Sequence, residues 1–348
     1  MNWLKKAAIL ISTDVTDIPT CSAQRKLMAL TFGFSCALML ISCPVFAWSK
    51  VGHWRMTDAA FMALEPKQRQ YFSQLAESLP RKPSYDLPPL SASSSYRFAY
   101  LGVWPDLIRN HNLLDLFKRV GENVPEGIKQ HQKQNTSRWH YHNAFVYQFT
   151  AEAKGGVAND AHIAQCQQKG LRNTGLLLSR MRAVDKALNE PLSAKQAAIL
   201  LALQIHLIQD ATQPLHTFAR VDASCRHDRG GNSLCLDKGP NKRCSLNLHQ
   251  LWDGGFGQFD SPTFASNLLE RSVYEQKENT FNPEQWLIES RAFAAEVYAM
   301  EKSITVDGVY RIAAQKIARD QIIQSHQRLV WYLIDYYQTK TGVADIRH

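Results

Sequence analysis

Apolar side chains return every three or four positions along most of this chain, the spacing that gives an α-helix one buried face. The segment "RMTDAAFMALEPKQRQYFSQLAESL", Arg55 to Leu79, shows the pattern twice, with Pro66 between two predicted helices. "PRKPSYDLPPLSASSS", Pro80 to Ser95, breaks it and predicts a loop. Helical spacing resumes in "YRFAYLGVWPDLIRNHNLLDLF", "KGLRNTGLLLSRMRAVDKALNE" and "SAKQAAILLALQIHLIQDATQPLHTFA". The last opens with Ser193 and Gln196 in the arrangement of a capping box, and Pro214 predicts its end. Two further helical stretches, around Glu284 to Glu301 and Gly308 to Gln338, close the chain. Strand signals are scarce, the best being "HYHNAFVYQF", His140 to Phe149. Val221 to Asn247 has no amphipathic period and reads as a long loop, a kind of segment that tends to carry function. With no internal repeat and no linker between two cores, the expectation is a single all-α domain.

The first 47 residues stand apart. Arg25-Lys26 precede an uncharged apolar run from Leu27 to Ala47 that ends in Val45-Phe46-Ala47, small residues at the positions a signal peptidase reads. This predicts an export signal at 1–47, removed after Ala47, and a working domain at 48–348. Two alternatives compete. The run is long enough to span a bilayer as an anchor, and "LISC", Leu40 to Cys43, resembles a bacterial lipoprotein box that would leave a lipidated Cys43. Asp14 and Asp17, upstream, suit neither a signal nor an anchor.

Removing the leader changes the meaning of the cysteines. Cys21, Cys36 and Cys43 leave with it; Cys166, Cys225, Cys235 and Cys244 remain, an even number that in an exported chain predicts two disulfides with the pairing open. A Cys-ligated zinc is the weaker alternative, because the last three are not close pairs. A composition of 45% hydrophobic and 20% charged residues excludes a disordered or fibrous chain. Of the net charge of +9 the leader holds +2 (Lys5, Lys6, Arg25 and Lys26 against Asp14 and Asp17). The 9 − 2 = +7 left on the mature chain favours polyanions mildly, although diffuse positive charge more often serves solubility than binding.

Candidate chemistry begins on the helix opening at Ser193. His206 and Asp210 lie four apart, hence on one face, inside an apolar stretch where both are costly unless paired. A hydrogen-bonded pair in a core would account for one such HxxxD. The spacing recurs at His249 and Asp253 in "LHQLWD", and His216 follows Pro214. Asp106 in "GVWPDLIR", His140 in "RWHYHN" and His53, five residues after Trp48, are also polar interruptions of apolar surroundings. Together they exceed what one tetrahedral zinc needs and suit a metal cluster.

Trp48-x-x-x-x-His53, "WPDLIR", "WHYHN", "HLIQDATQPLH", "GGN" at Gly230 to Asn232 and "LHQLWD" occur in an order that resembles the secreted three-zinc, single-strand-specific nucleases, more distantly related to zinc phospholipases C. The resemblance runs from Trp48 to about Asp253. It implies a mainly helical fold with three Zn2+ in a cleft between helices. Trp48 would bind one zinc through its own α-amine and carbonyl together with His53, so that leader removal creates a ligand. Asp106, His140 and His206 would hold a second, Asp210 would bridge the two, and His216, His249 and Asp253 would hold the third. An α-amine with a pKa of about 8 yields its proton to metal readily. Asp210 would also serve catalysis directly. The implied activity is hydrolysis of single-stranded DNA and RNA to 5′-phosphate products, with 3′-nucleotidase activity on nucleotides as a further expectation.

Arg109 stands where this family often has Lys and is assigned to the phosphate. Asn143 stands where many members have an Asp near the attacking water, which removes a carboxylate base. Asn232 matches a position that contacts base or phosphate. Tyr141, Phe145 and Trp252 are candidate base-stacking residues, although aromatics beside metal ligands more often pack behind them. His326 and the remaining histidines match no role. The rivals are a phospholipase C of the same superfamily, against which Asp210 and Asp253 speak where those enzymes tend to have Glu, and a non-catalytic zinc-binding lipoprotein held by Cys43. No protein partner is implied, nor a membrane unless Cys43 is lipidated.

Overall fold

Helix after helix forms where the apolar spacing predicts one, and their ends are set by local caps. The computed structural model describes residues 48–79, 94–147, 160–239, 241, 243–271, 281–302 and 308–343, all within one compact unit. The leader, with Ala47 and the Cys43 alternative, and most of the Pro/Ser loop lie outside the described residues. In chain order the helices are α1 (Lys50–Met62), α2 (Pro66–Glu77), α3 (Ser94–Leu107), α4 (Leu113–Arg119) and α5 (Glu126–Lys129). Then come α6 (Asp160–Gln168), α7 (Leu177–Leu188), α8 (Ala194–Asp210), α9 (Pro214–Thr217) and α10 (Leu248–Asp253). The last four are α11 (Phe264–Arg271), α12 (Pro283–Arg291), α13 (Ala294–Val297) and α14 (Gly308–Thr341). The fold is all-α in class, and among the described residues no helix is long and apolar enough to cross a membrane.

α8 is the axis. Every residue from Ala197 to Asp210 is buried, so its sequence is apolar all round rather than on one stripe. Its start is the predicted capping box: the Ser193 hydroxyl accepts from Gln196 N–H, and the Gln196 side chain accepts from Ser193 N–H. α1 packs closely on α3 at Gly102, where a Cβ would lie 2.1 Å from Thr57 Oγ1 and 3.0 Å from the His53 carbonyl. Glycine is therefore what lets the two helices meet at the turn that carries His53. One apolar cluster binds α2, α3, α7, α8 and the end of α14; a second gathers Trp48, Leu215, Phe218, Leu248, Trp252 and Phe259 against the start of α14.

Several expectations are corrected. The helical run from Tyr96 to Phe117 is two helices, because Asn112 caps a new start by accepting from Asp115 N–H. In the run from Lys169 to Glu190 only α7 is helical; Gly170 turns at φ +104° and the Asn173 side chain accepts from Gly175 N–H, holding the entry in a turn. Pro214 does not end α8, which stops at Asp210; it opens α9, at a first-turn position where a missing N–H costs nothing. Val221–Asn247 is not a structureless loop: β3 (Cys235–Lys238) and β4 (Cys244–Asn247) form a small antiparallel hairpin. No residue of either strand is fully buried, so no apolar alternation announces them.

The strand expected near His140 is β1 (Ala144–Val146), which pairs in parallel with β2 (Phe218–Arg220), directly after α9. Two disulfides form, Cys166–Cys225 and Cys235–Cys244. Both fasten the 221–247 segment: the first ties it to α6, the second closes the hairpin.

Candidate metal centre

Five residues converge at the C-terminal end of α8. His206 and Asp210 come from α8 itself, His53 from α1, Asp106 from α3, and His140 from the turn before β1. His206 Nε2 and His140 Nδ1 each lie 3.2 Å from Asp210 Oδ2, and His53 Nε2 lies 3.4 Å from Asp210 Oδ1. Asp106 Oδ1 is 3.8 Å from both His140 Nδ1 and His206 Nε2. All five side chains are buried. A second group sits beside it: His216 from α9 with His249 and Asp253 from α10. His216 Nε2 is 3.2 Å from His249 Nε2 and 3.9 Å from Asp253 Oδ1, and His249 Nε2 is 3.5 Å from Asp253 Oδ2. His216 Nδ1, 3.6 Å from Asp210 Oδ1, links the two.

Backbone carbonyls decide which ring nitrogen faces inward. His206 Nδ1–H donates to Gly102 O at 2.6 Å, His216 Nδ1–H to His140 O at 2.5 Å, and His249 Nδ1–H to Gly230 O at 2.6 Å. A carbonyl only accepts, so each Nδ1 must carry a proton; Nε2 of His216 and His249 is then left as a bare lone pair, while His206 Nε2 lies 2.8 Å from His140 Nδ1. Gly230 reaches His249 only as glycine. It holds φ +62°, and a Cβ there would lie 2.3 Å from Leu215 O.

Electrostatics prepares the imidazoles as ligands. Burial holds His53 below its ordinary value and His140 and His249 well below it, with His206, Arg109 and His216 respectively adding to the effect. Burial also lowers His216 to about 4. His206 is the exception: burial pulls it down, yet Asp210 and Asp106 outweigh that and raise it. Burial alone would push Asp210 up, but His206, His216 and His140 together hold it well below the carboxylate range. Asp253 is raised well above that range by burial, against the hydrogen bond from Gln213. Asp106 is raised, burial outweighing His206 and Arg109.

These groups are costly as a hydrogen-bonded core. Both oxygens of Asp106, both of Asp210 and His53 Nε2 are buried with no hydrogen-bond partner. His216 and His249, both neutral, point lone pairs at each other across 3.2 Å. A cation resolves each of these conflicts, and three sets have ligand atoms mutually close enough to hold one: His53–Asp106–His206, His140–His206–Asp210 and His216–His249–Asp253. A fourth cluster, His162 with Cys166 and Cys225, has both sulfurs bonded to each other.

The other predicted residues surround this centre. The Trp48 indole is buried and donates to Gln209 O at 3.0 Å, while Ser49 N–H donates to Asp253 O at 2.7 Å, so the start of the described chain threads between the two groups. Arg109 Nη1 lies 3.6 Å from Asp106 Oδ1 with its side chain 19% exposed, facing both the centre and solvent. Asn143 is buried, and its N–H donates to Asn173 Oδ1. Asn232 Nδ2 donates to Arg229 O, and its Oδ1 is buried with no hydrogen-bond partner. Of the aromatics, Phe145 and Trp252 are buried, Trp252 donating to Tyr310 Oη, which removes both as stacking platforms; Tyr141 is half-buried.

Sequence reasoning passed over two glutamines. Gln209 Oε1 accepts from His53 Nδ1–H, and Gln213 Nε2 donates to Asp253 Oδ1 at 2.6 Å. The available signal was position: both lie in "HLIQDATQPLH", where an amide in wholly buried surroundings requires partners.

The sequence profile of the S1/P1 nuclease family matches residues 48–338. No curated protein matches the chain.

Proposed function

The chain belongs to the S1/P1 nuclease family, and from that premise we propose that it is an exported endonuclease that cuts single-stranded DNA and RNA to 5′-phosphate products with three zinc ions. Membership makes it a phosphodiesterase acting on nucleic acid, in a zinc-dependent family. The finer reading rests above all on one observation: bare Nε2 lone pairs and partnerless carboxylate oxygens are turned toward one another in a fully buried space. Trp48 and His53 would hold one zinc, Asp106, His140 and His206 a second, with Asp210 shared, and His216, His249 and Asp253 the third. When bound, zinc supplies Lewis acidity, which neutralises phosphate charge and acidifies water to a pKa of about 7.

The chain's own groups do the rest. Arg109 spans from Asp106 to solvent, where its guanidinium is suited to hold a non-bridging phosphate oxygen. Asn143 orients by hydrogen bonding and takes no proton, so deprotonation of water falls to the centre itself. Asn232 offers a carbonyl oxygen that accepts from a base N–H, and its Nδ2, which gives one hydrogen to Arg229 O, keeps a second for a phosphate oxygen, so the side chain suits either contact. The two disulfides agree with export, and the leader at 1–47 would free the Trp48 amine.

The test is to incubate purified zinc-loaded mature protein with single-stranded oligonucleotides, the matching duplex and phosphatidylcholine, after weighing its N-terminus. Cleavage of the single strand with 5′-phosphate ends and a chain starting at Trp48 are expected. Lipid hydrolysis alone would sink the nuclease reading, and a lipidated Cys43 would sink the Trp48 ligand.

A further inference from the structure

Gln209 does two jobs at one turn of α8. Its carbonyl takes the indole N–H of Trp48 at 3.0 Å, and its side-chain oxygen takes the Nδ1–H of His53. The orientation of its amide is forced from outside: Thr57 Oγ1 donates to His53 O at 2.8 Å, so that hydroxyl has only lone pairs left, and Gln209 Nε2 donates to it at 2.8 Å. Oε1 must then face His53. An amide oxygen accepts only, so the His53 proton sits on Nδ1, and Nε2 faces Asp210 at 3.4 Å. The relay is entirely buried: His53, Thr57 and Gln209 are each 0% exposed. Whereas the other three Nε2-presenting histidines are oriented by backbone carbonyls, His53 depends on a side chain and is therefore open to mutation.

We propose that Gln209 is a positioning residue that fixes His53 in the tautomer able to bind metal through Nε2 and docks Trp48 beside it, so that zinc affinity at the Trp48–His53 site is set by Gln209. The inference rests on the zinc reading above. It separates shape from hydrogen bonding through two variants. Gln209→Met keeps the side-chain length and offers no oxygen acceptor. Gln209→Glu keeps the acceptor for His53 Nδ1–H, and the Thr57 hydroxyl can turn to donate to it.

The experiment titrates zinc into each metal-stripped protein against a chromophoric chelator, with long-range 15N–1H spectra of the imidazoles as a second readout independent of activity. Gln209→Met is expected to bind one of its zinc ions about 10–100-fold more weakly, and its His53 signals should lose the pure Nδ1–H pattern. Gln209→Glu should stay within about threefold of wild type, roughly half of one tenfold step. Met and Glu variants weakened equally, or a Met variant that binds as tightly as wild type, overturn the inference and leave the zinc reading standing. A wild-type protein that takes up no zinc overturns both. Should Gln209→Met fail to fold, the Glu variant and the wild-type tautomer spectrum decide, since a wild-type His53 protonated at Nε2 refutes the relay.

Discussion

His206 and Asp210 project from a 17-residue helix buried along nearly its whole length, while His249 and Asp253 project from a 6-residue helix that follows a hairpin closed by a disulfide. The helix-borne group has carboxylates without hydrogen bonds; in the loop-borne group Asp253 is held by Gln213 and His249 by the Gly230 carbonyl. Among the described residues no disulfide touches α1, α3 or α8, and both bridges fasten the 221–247 segment. Both groups orient imidazoles by hydrogen bonds, on the helix side His206 to Gly102 O and His53 to Gln209. The difference is that packing alone holds the carboxylates on the helix side, whereas Asp253 takes a hydrogen bond and its neighbouring segment two cross-links.

The strongest test of this contrast is to neutralise one carboxylate in each group. Asp210→Asn removes a charge that His53, His140, His206 and His216 all face, and it should lower phosphodiester hydrolysis by about 10^3-fold. Asp253→Asn, where Gln213 already shares the load, should lose about 10–100-fold. Rates measured with zinc content would erase the distinction if the two losses were equal.

The helix side also has an acid weakness. His326 on α14 is buried, hydrogen-bonds to Ala59 O on α1, and is held down to about 4 by burial against an ordinary 6.5. Its folded form refuses a proton that the unfolded chain accepts, so this contribution is complete above pH 6.5 and is lost as pH falls toward 4. The linked change is about 3 kcal/mol. Urea unfolding at pH 7 and pH 4.5 should show a smaller acid loss in His326→Gln than in wild type, and identical losses would remove His326 as the cause.

On the loop side the smallest intervention is Gly230→Ala. Left-handed strain and the contact with Leu215 O should cost about 2 kcal/mol and shift the carbonyl that orients His249. Thermal unfolding and zinc titration read both effects; an alanine accepted at no loss would show that the loop adapts.

The same contrast governs what could be read from sequence. The long helices announce themselves because period and burial coincide, and the spacing of four in "HLIQD" puts His206 and Asp210 side by side. β2, β3 and β4 are 3 or 4 residues long, and their pairing comes from the His140 segment and a disulfide rather than from alternation. The cysteine count allowed two bridges without choosing partners, since pairing depends on which loops meet. Gln209 was illegible for a related reason: a glutamine at a helical position is neutral until His53, 156 residues away, is brought against it.

The short parallel pair of β1 and β2 bears on tolerance to change. His140 precedes one strand and His216 the other, with His142 N–H donating to His216 O at 2.6 Å and His216 Nδ1–H to His140 O. The distance between the two ligand groups is therefore measured off in main-chain repeat units. A substitution at a half-buried strand position such as Ala144 can drift without detuning it, while a single inserted or deleted residue between His140 and Ala144 would put the centre out of register.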